Sequence, residues 1–222
     1  MLWRELEDPR AIARSLSNLA NVVMLQDDCV RSQSLYGECL AIFEELGDRT
    51  GVAWTTNYQG DVARHHGDSA AARTLYEQGL TIFRELGDRW GIAATLADLG
   101  SLAREESDYP SARSLYRESI KIFHDLDHKR GIARLLEAFA CVAAVQLEPE
   151  RSLRLAGAAA ALRQNIGAPL TSAERAKLEA SLLPSRRALT TAGQTAWAEG
   201  WALPMEKAIE EAMMIEIASP QT

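Results

Sequence analysis

Histidines, cysteines and carboxylates are the residues that could do chemistry here, and their spacing decides what chemistry. His65-His66 is the one adjacent histidine pair. Neighbouring helical residues point about 100° apart, so these two cannot chelate as an i, i+4 pair would. His124 and His128 do have that spacing, with Asp125 and Asp127 beside them. They straddle a position where the chain breaks its helix elsewhere, so a metal is not expected. Cys29, Cys39 and Cys141 form no CxxC pair. An odd number without a secretion signal suits a reducing compartment and small packing residues. Asp27-Asp28 and Glu44-Glu45 read as turn and solvated-face charges, whereas acid–base catalysis needs two groups held in contrasting environments. No GxxxxGK[ST], GxGxxG or GxSxG run occurs, so no phosphate loop or nucleophile elbow is available. The expectation is a protein without enzymatic activity, cofactor or metal.

Charge and hydropathy narrow the partners. The 222 residues carry a net charge of -7. A nucleic-acid binder needs a basic stripe to displace counterions, and an anionic membrane surface attracts basic segments. Neither partner is expected. No run of about 18 apolar residues exists to span a bilayer. The start, MLWRELEDPR, lacks the basic and apolar regions of a signal peptide. The expected location is the cytoplasm.

The elements that position side chains come from an internal repeat. Leu35-Tyr36 returns as Leu75-Tyr76 and Leu115-Tyr116, at a period of 40. Ile42-Phe43, Ile82-Phe83 and Ile122-Phe123 keep the same period, as do Gly51-Val52-Ala53, Gly91-Ile92-Ala93 and Gly131-Ile132-Ala133. Each period holds two helical patterns. One runs over about Ala70–Leu86, with Ala72, Leu75, Tyr76, Leu80 and Phe83 in one stripe. Gly87 is its left-handed C-cap. The second runs over about Trp90–Glu105, with Ile92, Leu96, Leu99 and Ala103 on the buried face. Gly60 and Gly100 lie mid-helix, at about 1 kcal/mol against alanine, which suits close approach of a neighbouring helix. Asp68 and Asp108 are N-cap residues, and Pro110 fits a first turn. Thr56 and Gln59 stand where the next repeat has Leu96 and Leu99. They read as repeat drift, a rotated helix or a hydrogen-bonded pair.

A unit of two helices cannot bury its faces alone, so stacked neighbours must supply the core. Leu96, Leu99-Gly100, Ser107-Asp108-Tyr109, Ala112 and Tyr116 together resemble the tetratricopeptide family, in a 40-residue variant of its usual 34-residue unit. The resemblance implies an all-α fold, a right-handed α-solenoid of tetratricopeptide-type helix pairs with a C-terminal helical cap. Residues 1–167 form about three and a half repeats and 168–222 the cap. It also implies a concave face lined by the first helix of each repeat. The groove-facing candidates there are Arg14, Ser17, Asn21 and Met24; then Trp54, Asn57, Asp61 and Arg64; then Ala94, Ala97, Ser101 and Arg104; then Arg134, Glu137 and Cys141. Such a mixture suits an extended peptide or protein segment. The family's carboxylate clamp needs basic residues where Ala97 and Ser101 stand.

The ends depart from the repeat. One period back from Ile42-Phe43 lies Leu2-Trp3, so the chain is read as starting inside a second helix, with its first half missing. That cut face would favour self-association. The fourth unit, about Ile132–Ile166, loosens, with Glu148-Pro149-Glu150 in place of a Gly-Asp turn. Its alanine-rich LRLAGAAAALRQNIGAP suits close helix packing. Thr171 and Glu174 form a capping box. A helix follows to about Leu182, Pro184 starts a new segment, Gly200 and Pro204 frame a break, and a last amphipathic helix covers Pro204–Ile217, with 219–222 frayed. Leu155–Ala212 also resembles the C-termini of large bacterial ATP-binding regulators of LuxR type. That likeness implies the repeat arm of such a regulator, binding a protein segment or sensing a small effector.

Overall fold

The computed structural model describes residues 8–214. The reading of Leu2-Trp3, the end of the last helix at Ile217 and the fraying of 219–222 lie outside the described residues. Among them are ten helices: α1 (Pro9–Met24), α2 (Cys29–Glu45), α3 (Arg49–His65), α4 (Ser69–Leu86), α5 (Arg89–Glu105), α6 (Tyr109–Asp125), α7 (Lys129–Val145), α8 (Pro149–Asn165), α9 (Ser172–Ala202) and α10 (Met205–Met213). No strand occurs among the described residues. The odd-numbered helices α1 to α7 start forty residues apart, and so do α2 to α8. The fourth pair therefore keeps full register although its sequence drifts.

Turn chemistry enforces this register every twenty residues. Residues 27, 47, 67, 87, 107, 127 and 147 all have positive φ. The amide after each closes back onto the preceding helix, as Asp48 N–H does onto the Phe43 carbonyl at 2.9 Å. That 6→1 bond satisfies a helix-end carbonyl and reverses the chain. The next side chain then caps the following helix. The Asp48 carboxylate accepts from Gly51 N–H at 2.9 Å, and Asp68 and Asp108 do the same for Ala71 and Ser111. At the later turns His128 Nδ1 replaces the carboxylate, accepting from Gly131 N–H at 3.1 Å. Glu148 makes no side-chain cap bond.

The same small and aromatic residues recur in the core. Ala13, Ala53, Ala93 and Ala133 are fully buried, as are Tyr36, Tyr76 and Tyr116. A Cβ on Gly51 or Gly91 would fall 2.4 Å from the Phe43 or Phe83 ring, which explains the recurring Gly-x-Ala run. A Cβ on Gly60 would fall 2.7 Å from the Tyr76 ring, so this mid-helix glycine does accommodate a close neighbour. Thr56 and Gln59 do not bond to each other across the helix interface: Thr56 Oγ1 donates to its own helix at Val52 O, 2.9 Å, and Gln59 lines an open groove.

The chain divides into two compact units, one through Leu102 and the other from Ala103. In the second, α9 packs on α7 and α8, and α10 packs on the same two helices. The Thr171–Glu174 capping box is present: Thr171 N–H donates to Glu174 at 2.8 Å and Glu174 N–H to Thr171 Oγ1 at 3.3 Å. Two sequence expectations fail beyond it. Pro184 does not start a new segment, and Gly200 does not frame a break; both lie inside the 31-residue α9. An interior proline costs about 3 kcal/mol, offset here by burial of Leu182 and Ala196. Gly200 is a contact point, since a Cβ there would fall 1.9 Å from the Arg154 carbonyl, and one on Gly157 would fall 2.3 Å from that of Trp197. The alanine-rich α8 thus meets α9 backbone to backbone.

Candidate functional site

The first unit concentrates polar and aromatic side chains on α3. The Gly51-x-Ala53 run seats this helix against its neighbours and leaves Trp54, Asn57, Tyr58, Asp61 and Arg64 on related faces. Asn57 does not face solvent as expected; it is buried. Its amide donates to Asp98 at 3.0 Å and accepts from Thr95 Oγ1 at 2.9 Å. A buried amide and carboxylate must find partners or cost several kcal/mol, and these two find each other across α3 and α5.

Asp61 and Arg64 converge on one phenol. Tyr76 Oη donates to Asp61 at 2.7 Å, and Arg64 Nε donates to the same oxygen at 3.2 Å. Arg64 and Asp61 are 3.8 Å apart, both about three-quarters buried. One period earlier, Tyr36 Oη donates to Asn21 at 2.9 Å. Burial, then the Asp61 charge, pushes both phenols well above the ordinary tyrosine range. Burial followed by Asp61 and Asp98 raises Tyr58. All three phenols therefore remain neutral and are not bases, and those of Tyr36 and Tyr76 serve as hydrogen-bonding groups.

An aromatic ladder runs beside this network. Tyr36 stacks on Tyr58 at 5.8 Å between centroids, Tyr58 meets Trp54 at 5.9 Å, and Trp54 meets Trp90 at 4.5 Å and Phe83 at 4.7 Å. Trp54 is thus half-buried within a stack, and the exposed ring is Trp90. On the opposite flank, α2, α3 and α4 enclose an open groove of about 580 Å³, with Leu40, Leu75 and Ile82 as walls and Val52, Thr56 and Gln59 among its lining.

The other candidates are placed differently. Arg14 is exposed and Ser17 half-buried. Met24 packs with Ala20 and Tyr36. Ala94 and Ala97 are buried, so they offer no groove surface, and Ser101 donates to the Ala97 carbonyl at 2.9 Å. In the second unit Arg104 lies 3.8 Å from Glu105, and Arg134 is exposed. Glu137 is not a groove residue. It receives two bonds from Arg163, at 2.5 and 2.9 Å, with both side chains about nine-tenths buried. Cys141 is buried beside Ser181 of α9, and burial raises its thiol. The structure therefore gathers Asn21, Trp54, Asn57, Asp61 and Arg64 in the first unit and encloses Glu137 and Cys141 in the second.

Sequence reasoning missed Tyr36, Tyr58, Tyr76, Trp90, Thr95 and Asp98. A signal existed for two of them. The recurring Leu-Tyr tyrosine has a polar residue fifteen positions upstream, Asn21 for Tyr36 and Asp61 for Tyr76. Asp98 left no such signal, because it occupies the position of Tyr58 one repeat earlier.

The sites contain hydrogen-bonding and stacking groups, and no group of three or more metal-ligating side chains occurs among the described residues. None of the described helices is long and apolar enough to cross a membrane. Residues 11–85 match the tetratricopeptide repeat family. No curated protein matches the sequence significantly. Among solved structures, BtubC (BKLC) from P. vanneervenii is similar, with 21% identity over 96% of this chain and 85% of that one, at a TM-score of 0.66. The nearly identical TPR-like repeats of a proposed kinesin light chain from Podosopora anserina share 14% identity over 95% of this chain and 100% of that one, at a TM-score of 0.60. In fold the chain is an all-α solenoid of tetratricopeptide-like helix pairs with a C-terminal helical cap.

Proposed function

We propose that this protein is a non-enzymatic cytoplasmic scaffold that binds a protein segment along the polar-aromatic face of α3. One observation carries the reading. Asp61, Arg64 and Trp54 remain partly accessible there, prearranged by Tyr76 and the ring stack, whereas α7 buries leucines, Phe139 and an ion pair. A prearranged Asp–Arg edge beside aromatic rings can bond to a peptide backbone and pack an apolar side chain with little ordering cost. Tetratricopeptide repeats generally bind proteins, and the likeness to repeats of kinesin-light-chain type agrees with that role. Of the remaining groove candidates in the first unit, Arg14 stands on α1 one period before Trp54, and Ser101 lies on α5.

The test is a peptide array probed with the purified chain, repeated with Arg64→Ala and with Trp54→Ala. Loss of bound peptides from both variants, with helical circular dichroism retained, supports the assignment. Unchanged binding by a folded Arg64→Ala variant overturns it.

A second reading is favoured by the α2–α3–α4 groove. Its 580 Å³ falls in the range of small-ligand sites, so a small effector could be sensed there. A metabolite that raises the melting temperature of the wild type, with no effect on Gln59→Leu, supports this reading over the first. Descent from a regulator arm rests on the resemblance of Leu155–Ala212 alone. Self-association rests on Leu19, Val22 and Leu25, which are exposed on and just after α1. A concentration-independent monomer in light scattering removes it.

A further inference from the structure

Helix α10 is the shortest of the described helices. It has nine residues, no side-chain N-cap, and an entry through Leu203 and Pro204, both extended. A helix this short is not stable in water by itself. Its order comes from its seat on α7 and α8. Ala208, Ile209 and Ala212 are buried there, a small apolar area compared with the backbone-to-backbone contact of α9.

Three arginines make up the rest of the seat. Arg117 of α6 donates to the Met213 carbonyl at 2.6 Å. Arg151 of α8 donates to the Glu211 carbonyl. Arg154 Nε donates to the Glu211 carboxylate at 2.8 Å. Helix C-termini present unsatisfied carbonyls with a partial negative charge, and cations there are favourable. Two of the three contacts are to main-chain oxygens. They would form with any helix that ends at this point. Arg151 has a buried Nε with no acceptor, and burial depresses its basicity, opposed by Glu148 at 3.3 Å. The seat therefore has guanidinium capacity that α10 does not use.

We propose that the α7–α8 seat with Arg117, Arg151 and Arg154 is a helix-binding site. Helix α10 occupies it in cis and holds it closed, and the site is fitted for an acidic-ended amphipathic helix of a partner protein. The recognition pattern follows from α10: apolar residues at i, i+1 and i+4, an acid at i+3, and a helix end within about a turn. A partner helix with further carboxylates near its C-terminus would use the spare donors and displace α10. The site lies in the second unit and does not depend on the α3 face.

The probe is a fluorescein-labelled peptide of residues Leu203–Met214, titrated by fluorescence anisotropy against the full chain and its full-length Ile209→Asp variant. The tethered copy competes at an effective concentration in the millimolar range. Unseating it should tighten peptide binding about tenfold or more, and adding Arg151→Ala should abolish the gain. Equal affinity for wild type and a folded Ile209→Asp variant overturns the proposal. So does a dimer lost on Arg151→Ala, because α10 would then be exchanged between copies. Should Ile209→Asp not fold, hydrogen exchange on the wild type decides. Amides of Ile209–Met213 exchanging at least about tenfold faster than those of α8 mark the seat as one that opens, and equal protection overturns it.

Discussion

The two compact units solve opposite halves of the folding problem. In the first, three of the four turns are chemically regular and the helix interface is polar. Glycine occupies the left-handed position at 47, 67 and 87, and aspartate caps the helices that follow. Yet α3 places Thr55, Thr56 and Asn57 in buried positions. In the second unit the turns decay to Ser107, Asp127 and Leu147, and the cap residues to His128 and Glu148. There α7 buries Leu135, Leu136 and Phe139. Local signals and core packing are alternative ways of holding one register. Where the turn is poorly encoded, apolar burial selects it; where the turn is well encoded, the interface can carry polar residues that recognise something.

The sharpest break of this contrast is Glu137→Ala. It leaves the Arg163 guanidinium buried without its carboxylate, which costs about 3–5 kcal/mol. Asn57→Ala at the equivalent position of the first unit leaves Asp98 short of one donor, at about 1–3 kcal/mol. Urea denaturation of both variants should rank Glu137→Ala as the more damaging; the reverse order would mean that the more polar interface carries more of the stability.

Glycine replacements test the backbone contacts. Gly200→Ala drives a Cβ to 1.9 Å from a carbonyl, whereas Gly79→Ala in the first unit meets its nearest atom, the Ala53 carbonyl, at 3.2 Å. Overpacking costs about 1–3 kcal/mol, so Gly200→Ala should lower the melting temperature clearly and Gly79→Ala only slightly. Equal shifts would show that α8 and α9 can slide apart.

Restoring regular turn chemistry to the second unit should help it. Leu147 is exposed at φ 61°, and a left-handed conformation costs a residue with a side chain about 1–2 kcal/mol. Leu147→Gly should raise the melting temperature by the equivalent of about 1 kcal/mol, less the extra entropy of glycine in the unfolded chain. No rise would mean that the side chain packs usefully in solution.

The smallest effect is a pH dependence. His128 caps α7 through an unprotonated Nδ1, and burial, then Arg130, lowers its affinity for a proton below the ordinary value of 6.5. The unfolded chain therefore takes up the proton first. The cap's contribution is present above about pH 6.5 and is lost as pH falls below it. Melting curves between pH 7.5 and 5 should show this loss in the wild type and less of it in His128→Asp, whose carboxylate stays ionised over that range. Parallel curves would refute the cap's role.

Much of this could be read before folding. The period of 40, the helix pairs, the Gly87 cap and the Thr171–Glu174 box depend on contacts within a few residues, so local sequence carries them. Side-chain direction was legible only in part. Asn57 and Glu137 stand at the same repeat position and look alike as solvated polar residues. Their partners, Asp98 and Arg163, lie 41 and 26 residues away, and no periodic signal links them. The same distance in sequence hid Tyr58 and Trp90, which join the site only through the ring stack.

By itself, then, the sequence determined the helices, their pairing and their register, because capping, turn conformation and apolar spacing act locally and recur every twenty or forty residues. Tertiary structure decided which polar residues are buried, whether Pro184 and Gly200 interrupt α9, and where α10 is seated. Those outcomes depend on desolvation and close backbone contact, and both exist only after distant helices have met.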